Sequence, residues 1–179
     1  MNKLITVALL CLTLTGFAQE KMITKTGKIN FEGSVSSFEE VKASNNNVTF
    51  VLNPNTGEIA SLALVKGFRF KVALMEEHFN ENYVESDKYP KATFKGKLSG
   101  FDVKNLSETP KEFPLTGKLE LHGKTNDIKT TAKISKTAAG IKIVSNFAVN
   151  ASDYNIAIPA VVKRKVSNKI NIEIDATVK

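Results

Sequence analysis

The chain has 179 residues and a mass of 19.6 kDa, with 42% hydrophobic and 24% charged residues, ten Gly, five Pro and no Trp. That composition excludes collagen-like, mucin-like and wholly disordered chains. The net charge is +7, and beyond the N-terminal segment no apolar run approaches the roughly 18 residues that a membrane-spanning helix needs.

The N-terminal segment reads as a secretory leader. Lys3 supplies a positive start, Leu4 to Leu14 an apolar stretch too short to span, and Gly16-Phe17-Ala18 the small residues of a cleavage site. Residues 1–18 are therefore predicted to be a signal peptide cut near 18/19, leaving residues 19–179 as one domain. A lipoprotein anchor would need Cys at the end of the apolar stretch after a small residue, whereas Cys11 sits in its middle behind Leu10. Cleavage removes the only cysteine, so a disulfide, a thiol nucleophile and a thiolate metal site are all excluded from the mature chain. It retains 24 basic against 18 acidic residues, a net +6. A periplasmic or secreted location follows, and with it no nucleic-acid partner.

From Gln19 onward the apolar residues alternate with period two, the mark of strands with one dry face. In chain order the predicted strands are Ile23 to Val35, Val48 to Leu52 and Ile59 to Phe70. Five more follow at Lys91 to Leu98, Phe113 to Leu121, Ile128 to Ile134, Ile141 to Val149 and Val166 to Val178. Hairpin reversals are expected at Asn53-Pro54-Asn55-Thr56-Gly57, Gly123-Lys124-Thr125-Asn126 and Ala138-Ala139-Gly140, where Asn and Gly tolerate positive φ. Between Val72 and Tyr83 the period changes. There Val72, Met75, Phe79 and Tyr83 fall three or four apart, which predicts one short helix that ends before Tyr89-Pro90.

Eight antiparallel amphipathic strands with one short helix define an all-β fold, either a sandwich or a closed barrel, and closure removes the exposed edges. The inward faces mix bulky residues with Gly33, Gly96 and Gly117, and inward glycines either bend a strand or leave space beside large neighbours. Eight strands can enclose one small ligand, so a ligand-sized apolar cavity is expected. Strand parity makes Phe31, Phe50, Phe68, Phe70, Phe94, Leu98, Leu119, Leu121, Phe147 and Ile156 its wall, with Met75 and Phe79 reaching in from the helix. A barrel filled by its own phenylalanines is the competing expectation.

Leu74-Met75-Glu76-Glu77-His78-Phe79, Tyr89-Pro90-Lys91-Ala92-Thr93-Phe94, Gly117-Lys118-Leu119-Glu120-Leu121-His122-Gly123-Lys124-Thr125, and Phe147 with Asp153-Tyr154-Asn155-Ile156 follow one another in an order and spacing that resemble the YceI-like family of exported lipid-binding proteins. The resemblance covers most of residues 25 to 178. It implies an extended eight-stranded antiparallel barrel, lipocalin-like, whose interior holds a long isoprenoid or another lipid. Two departures stand out. Gly27-Lys28-Ile29-Asn30-Phe31 replaces the usual Asp-x-x-His-Ser opening, and Phe70-Lys71 lies where the family often carries an Arg-Asp pair.

Catalytic chemistry has little support. Gly123-Lys124-Thr125 lacks the earlier P-loop glycine, because Lys118 stands there, and a strand pattern follows where a helix must begin. His78 on the flank of the helix and His122, expected to point outward from the barrel, make a poor metal site even with Glu76 or Glu77 as a third ligand. Glu77 and His78, adjacent on a helix, face different directions, which does not suit an acid–base pair. No cofactor is implied. Lys163-Arg164-Lys165 reads as a solvated loop that could also meet a phosphate head group or an anionic membrane surface. A carrier of a hydrophobic molecule, probed by an added mass on the purified protein, is thus expected ahead of an envelope interaction module with a filled barrel and of a lipid-modifying enzyme. Both a monomer and a homodimer are compatible with the pattern.

Overall fold

The computed structural model describes residues 21–36 and 38–179, so the expected leader, with Cys11, lies outside the described residues. Among the described residues the strands are β1 (Met22–Ser34), β2 (Lys42–Leu52), β3 (Glu58–Leu64), β4 (Arg69–Phe70), β5 (Lys91–Leu98), β6 (Lys111–Leu121), β7 (Lys124–Thr137), β8 (Gly140–Asn150) and β9 (Val166–Val178). One α-helix, α1 (Ala73–His78), follows β4. The sheet order β1-β9-β8-β7-β6-β5-β3-β2 returns to β1, because β1 also pairs with β2, and this closes an eight-stranded antiparallel barrel. β4 adds two residues to the edge of β2. The chain ends are zipped together, with the Ile23 amide donating to the Lys179 carbonyl at 2.9 Å.

The Asn53–Gly57 reversal forms as expected. Asn53 Oδ1 accepts from the Asn55 and Thr56 amides, and Gly57 adopts φ 70°. The next reversal is tighter than expected. His122 and Gly123, at φ 51° and 70°, make a two-residue turn, so β7 starts at Lys124 and Leu121 pairs directly with it.

The stretch expected as one strand from Ile59 to Phe70 is broken instead. A single 3₁₀ turn at Val65–Gly67 separates β3 from β4. Its cause is Asn45, which is 1% exposed and donates from Nδ2 to the Leu64 carbonyl at 3.0 Å. A Cβ on Gly67 would come within 2.6 Å of that same Nδ2, so the chain can fold over Asn45 only with glycine there. Asn45 Oδ1 also accepts from the Asn47 amide. Its polar groups are satisfied inside the sheet, and β2 therefore runs from Lys42, six residues before the expected start.

The helix is likewise shorter in its α form than expected. After α1 the chain widens into a π turn at Phe79–Tyr83, closed by the Val84 amide donating to the Phe79 carbonyl. Glu76 ties α1 to β4, its two carboxylate oxygens accepting from Arg69 Nη1 at 2.6 Å and from the Phe70 amide at 3.1 Å.

The barrel is packed at one end and hollow at the other. At the packed end Val48, Phe50, Leu52, Leu98, Phe113, Ile134, Ile143 and Val178 interdigitate, each at most 3% exposed. Each such burial stabilises the fold by roughly 1.5–3 kcal/mol, and no disulfide is needed to hold the closed end. The second cluster, around Val84, Ile128, Val149, Tyr154 and Ile156, surrounds the hollow end.

Candidate functional site: an apolar half-barrel cavity

The lumen-facing residues of both clusters follow directly from strand register. Phe31 on β1, Ile172 on β9 and Phe147 on β8 pair side by side, as do Phe94 on β5 and Leu119 on β6. Toward the end where α1 lies, these rows enclose a cavity of about 430 Å³. Phe38 and Glu39 from the β1–β2 connection, His78 from α1, and Val162 and Lys165 ahead of β9 border it as well. Its walls are hydrocarbon almost throughout. The threonine hydroxyls that approach it are engaged elsewhere, Thr130 donating to the Asn146 carbonyl and Thr93 to Glu120.

Of the residues singled out by parity, Phe31, Phe68, Phe70, Met75, Phe79, Phe94, Leu119, Leu121, Phe147 and Ile156 border the cavity. Phe50 and Leu98 do not. Both face inward but lie in the packed half, 2% and 1% exposed, because their positions on β2 and β5 fall on the far side of the rings that fill the barrel. Ile170, Ile172 and Ile174 border the cavity too. Their alternation along β9 is plain in the sequence. Tyr83, Val84, Tyr154 and Ile158 also contribute, but from turns, where no period marks them.

The inward glycines do not create the hollow. A Cβ on Gly96 or Gly117 would lie 2.6 Å from Phe94 Cζ, one on Gly27 2.3 Å from Phe50 Cδ2, and one on Gly33 2.7 Å from Ile170 Cδ1. Each vacancy is thus occupied by a neighbour. Phe94 can lie along the wall over Gly96 and Gly117 instead of standing across the lumen, and that leaves the space above it open.

At the mouth a set of aromatic rings fixes the helix. Phe79 lies 5.3 Å from Phe31, 5.1 Å from Phe70 and 6.1 Å from Phe68, measured between ring centroids. Those separations fall in the range where aromatic pairs attract beyond simple burial. Met75, Phe79 and Tyr83, the face expected from the helical spacing, all border the cavity. The widened turn keeps Phe79 and Tyr83 aimed inward although the α-helix itself has ended.

His122 does not point into solvent as parity suggested. Its side chain is only 8% exposed. Nδ1 lies 2.9 Å from the Tyr154 carbonyl oxygen, Nε2 lies 2.9 Å from Glu85 Oε2, and the Tyr89 ring packs edge-on at 4.5 Å. Alternation ceases to predict direction once the backbone enters the left-handed turn. His122 therefore clamps the segment after the π turn to the one after β8, outside the cavity.

Beside it Tyr154 is 1% exposed, and its hydroxyl has no hydrogen-bond partner. Burial holds the phenol above its usual range, and the neighbouring Asp153 carboxylate acts in the same direction. The Asn126 amide opposes this but donates to the Asp153 carbonyl oxygen at 2.8 Å. Among the described residues no cluster of three or more His, Cys, Asp or Glu side chains is arranged to hold a metal ion.

The architecture has solved relatives. A polyisoprenoid-binding domain from Saccharophagus degradans, implicated in plant cell wall breakdown, superposes with a TM-score of 0.75 at 14% identity, over 89% of this chain and 97% of that one. BcnA from Burkholderia cenocepacia gives 0.67 at 14%, over 83% and 94%. The Campylobacter jejuni YceI protein gives 0.64 at 19%, over 81% and 88%. No curated protein matches the sequence. At these identities the likeness establishes a shared fold. The sequence model of the YceI-like domain, however, matches residues 14–178, nearly the whole chain, and with the closed eight-stranded barrel it establishes that this protein belongs to the YceI-like family.

Proposed function

We propose that the protein is an exported, non-catalytic carrier that sequesters one apolar ligand, an isoprenoid or another lipid, in the hollow half of its barrel. The observation that carries this reading is the 430 Å³ hydrocarbon-walled cavity beside an otherwise close-packed core. Removing an alkyl tail from water gains about 25 cal/mol per Å², and preformed walls spare most of the ordering cost. A polar end would rest at the mouth, where Glu39, His78 and Lys165 stand.

The polyisoprenoid-binding relative supports the ligand class. The leader-like pattern of residues 1–18 supports a periplasmic or secreted location. Non-catalysis is supported by where the histidines lie, His78 exposed and His122 held outside the lumen.

Native mass spectrometry of the protein purified from its source tests the proposal. One adduct of a few hundred daltons is expected, removable by organic extraction and restored by adding geranylgeraniol. Leu119→Asp, which places a charge on the wall, should abolish both adduct and reloading while circular dichroism remains that of a β-barrel. Absence of an adduct together with failure to reload would overturn the carrier reading.

A further inference from the structure

The packed end of the barrel limits how much of a ligand can be buried. The cavity reaches inward as far as Ile29, Ser61, Phe94, Leu115, Thr130 and Ile174. The next lumen-facing positions on the same strands, Gly27, Ile59, Gly96, Phe113, Ala132 and Ala176, no longer border it. Two rings help to make that floor. Phe50 fills the space over Gly27, and Phe94 fills the space over Gly96 and Gly117. Ser61 pairs with both of these phenylalanines in register, Phe50 on β2 and Phe94 on β5. Below them Leu52, Ile134 and Val178 are fully buried.

The volume above the floor sets a length. A cavity of about 430 Å³, at about 30 Å³ for a unit the size of one water or methylene, holds about 14 carbon atoms. A tail of that size fills the hollow half. A longer one must leave its remaining carbons in the mouth.

Resting on the carrier reading, we propose that this barrel is a length-selective site for a single acyl or short prenyl chain, of myristoyl to farnesyl size, and that the floor formed around Phe50, Ser61 and Phe94 acts as the ruler. A long polyprenyl chain gains nothing there over a short one. Within the cavity each added methylene contributes about fourfold in affinity, and beyond the floor that increment disappears.

Displacement of a bound fluorescent polyene fatty acid by straight-chain saturated fatty acids of increasing length, each below its micellar concentration, tests this on the intact protein. Affinity is expected to climb about fourfold per methylene and then flatten at about 14–16 carbons. Ser61→Leu, which adds bulk at the floor, should bring the break down by about three carbons without altering the slope below it. Binding that keeps climbing well past the expected length, or a break unmoved by Ser61→Leu in a folded variant, overturns the ruler and leaves the carrier intact. Failure of every chain length, and of the probe itself, overturns the carrier reading and the ruler with it.

Discussion

Replacing Gly117 by Ala tests the packing that lets Phe94 lie flat. A Cβ at Gly117 would stand 2.4 Å from the Lys95 carbonyl oxygen, 2.6 Å from Gly96 Cα and 2.6 Å from Phe94 Cζ, against the 3.5–4.0 Å of ordinary carbon contacts. Two of these three neighbours are backbone of the paired strand β5, so moving one side chain cannot relieve the clash and the β5–β6 ladder must part locally. Overpacking of this kind costs about 1–3 kcal/mol. Alanine lowers the entropy of the unfolded chain by about 0.4–1 kcal/mol, which opposes the loss but does not cancel it. For a domain of this size the net effect is a fall in Tm of about 2–10 °C.

Circular dichroism melts of Gly117→Ala, and of the double variant with Phe94→Leu, measure the effect. The double variant should not recover the loss, because the backbone contacts persist. Gly100→Ala is the control. Nothing lies within 4 Å of a Cβ there, but the backbone is at φ 69°, so only the left-handed conformation is penalised, by about 1–2 kcal/mol, and ligand binding should be unaffected. An unchanged or raised Tm for Gly117→Ala, or full rescue by Phe94→Leu, would refute the argument that the sheet itself closes over this position.

Glu76→Ala removes both the Arg69 ion pair and the acceptor for the Phe70 amide. Two charge-assisted bonds on a partly exposed group are together worth about 1–2 kcal/mol. If the helix gates the mouth, stopped-flow release of a bound fluorescent fatty acid should quicken by about tenfold with little change in Tm, and an unchanged rate would mean that the gate lies elsewhere. Tyr154→Phe bears on alkaline stability. The buried phenol is held above its ordinary value of 10.0, so the unfolded chain releases that proton first and native stability falls as pH rises from about 10 through the folded-state value. The variant should flatten that alkaline limb in melts between pH 8 and 11, and at neutral pH it should be no less stable, since an unpartnered buried hydroxyl is lost. An unaltered limb would show that the hydroxyl reaches solvent.

Period-two alternation made the eight barrel strands legible, because each residue shift would invert which face is dry. That is why the β9 ladder and the wall formed by Phe31, Phe94, Leu119 and Phe147 could be read without coordinates. What alternation does not encode is depth along the barrel. Phe50 and Phe94 have the same parity, yet one is walled into the packed half and the other borders the hollow. The difference rests on which glycine each ring covers, a cross-strand relation set by register. The clamp around His122 was illegible for a related reason. It joins the β6–β7 turn to segments 37 and 32 residues away, and a left-handed backbone residue there carries no pattern of its own. The interruption after Leu64 was hidden because its cause, Asn45, lies on another strand.

The zipped chain ends have a practical consequence. Met22 and Val178 belong to the closed base, opposite α1 and the opening. A surface, bead or fusion partner joined at either terminus would present the opening outward, so tethered protein should exchange cargo about as readily as free protein. Attachment through residues near Lys165 would instead obstruct the route by which cargo arrives.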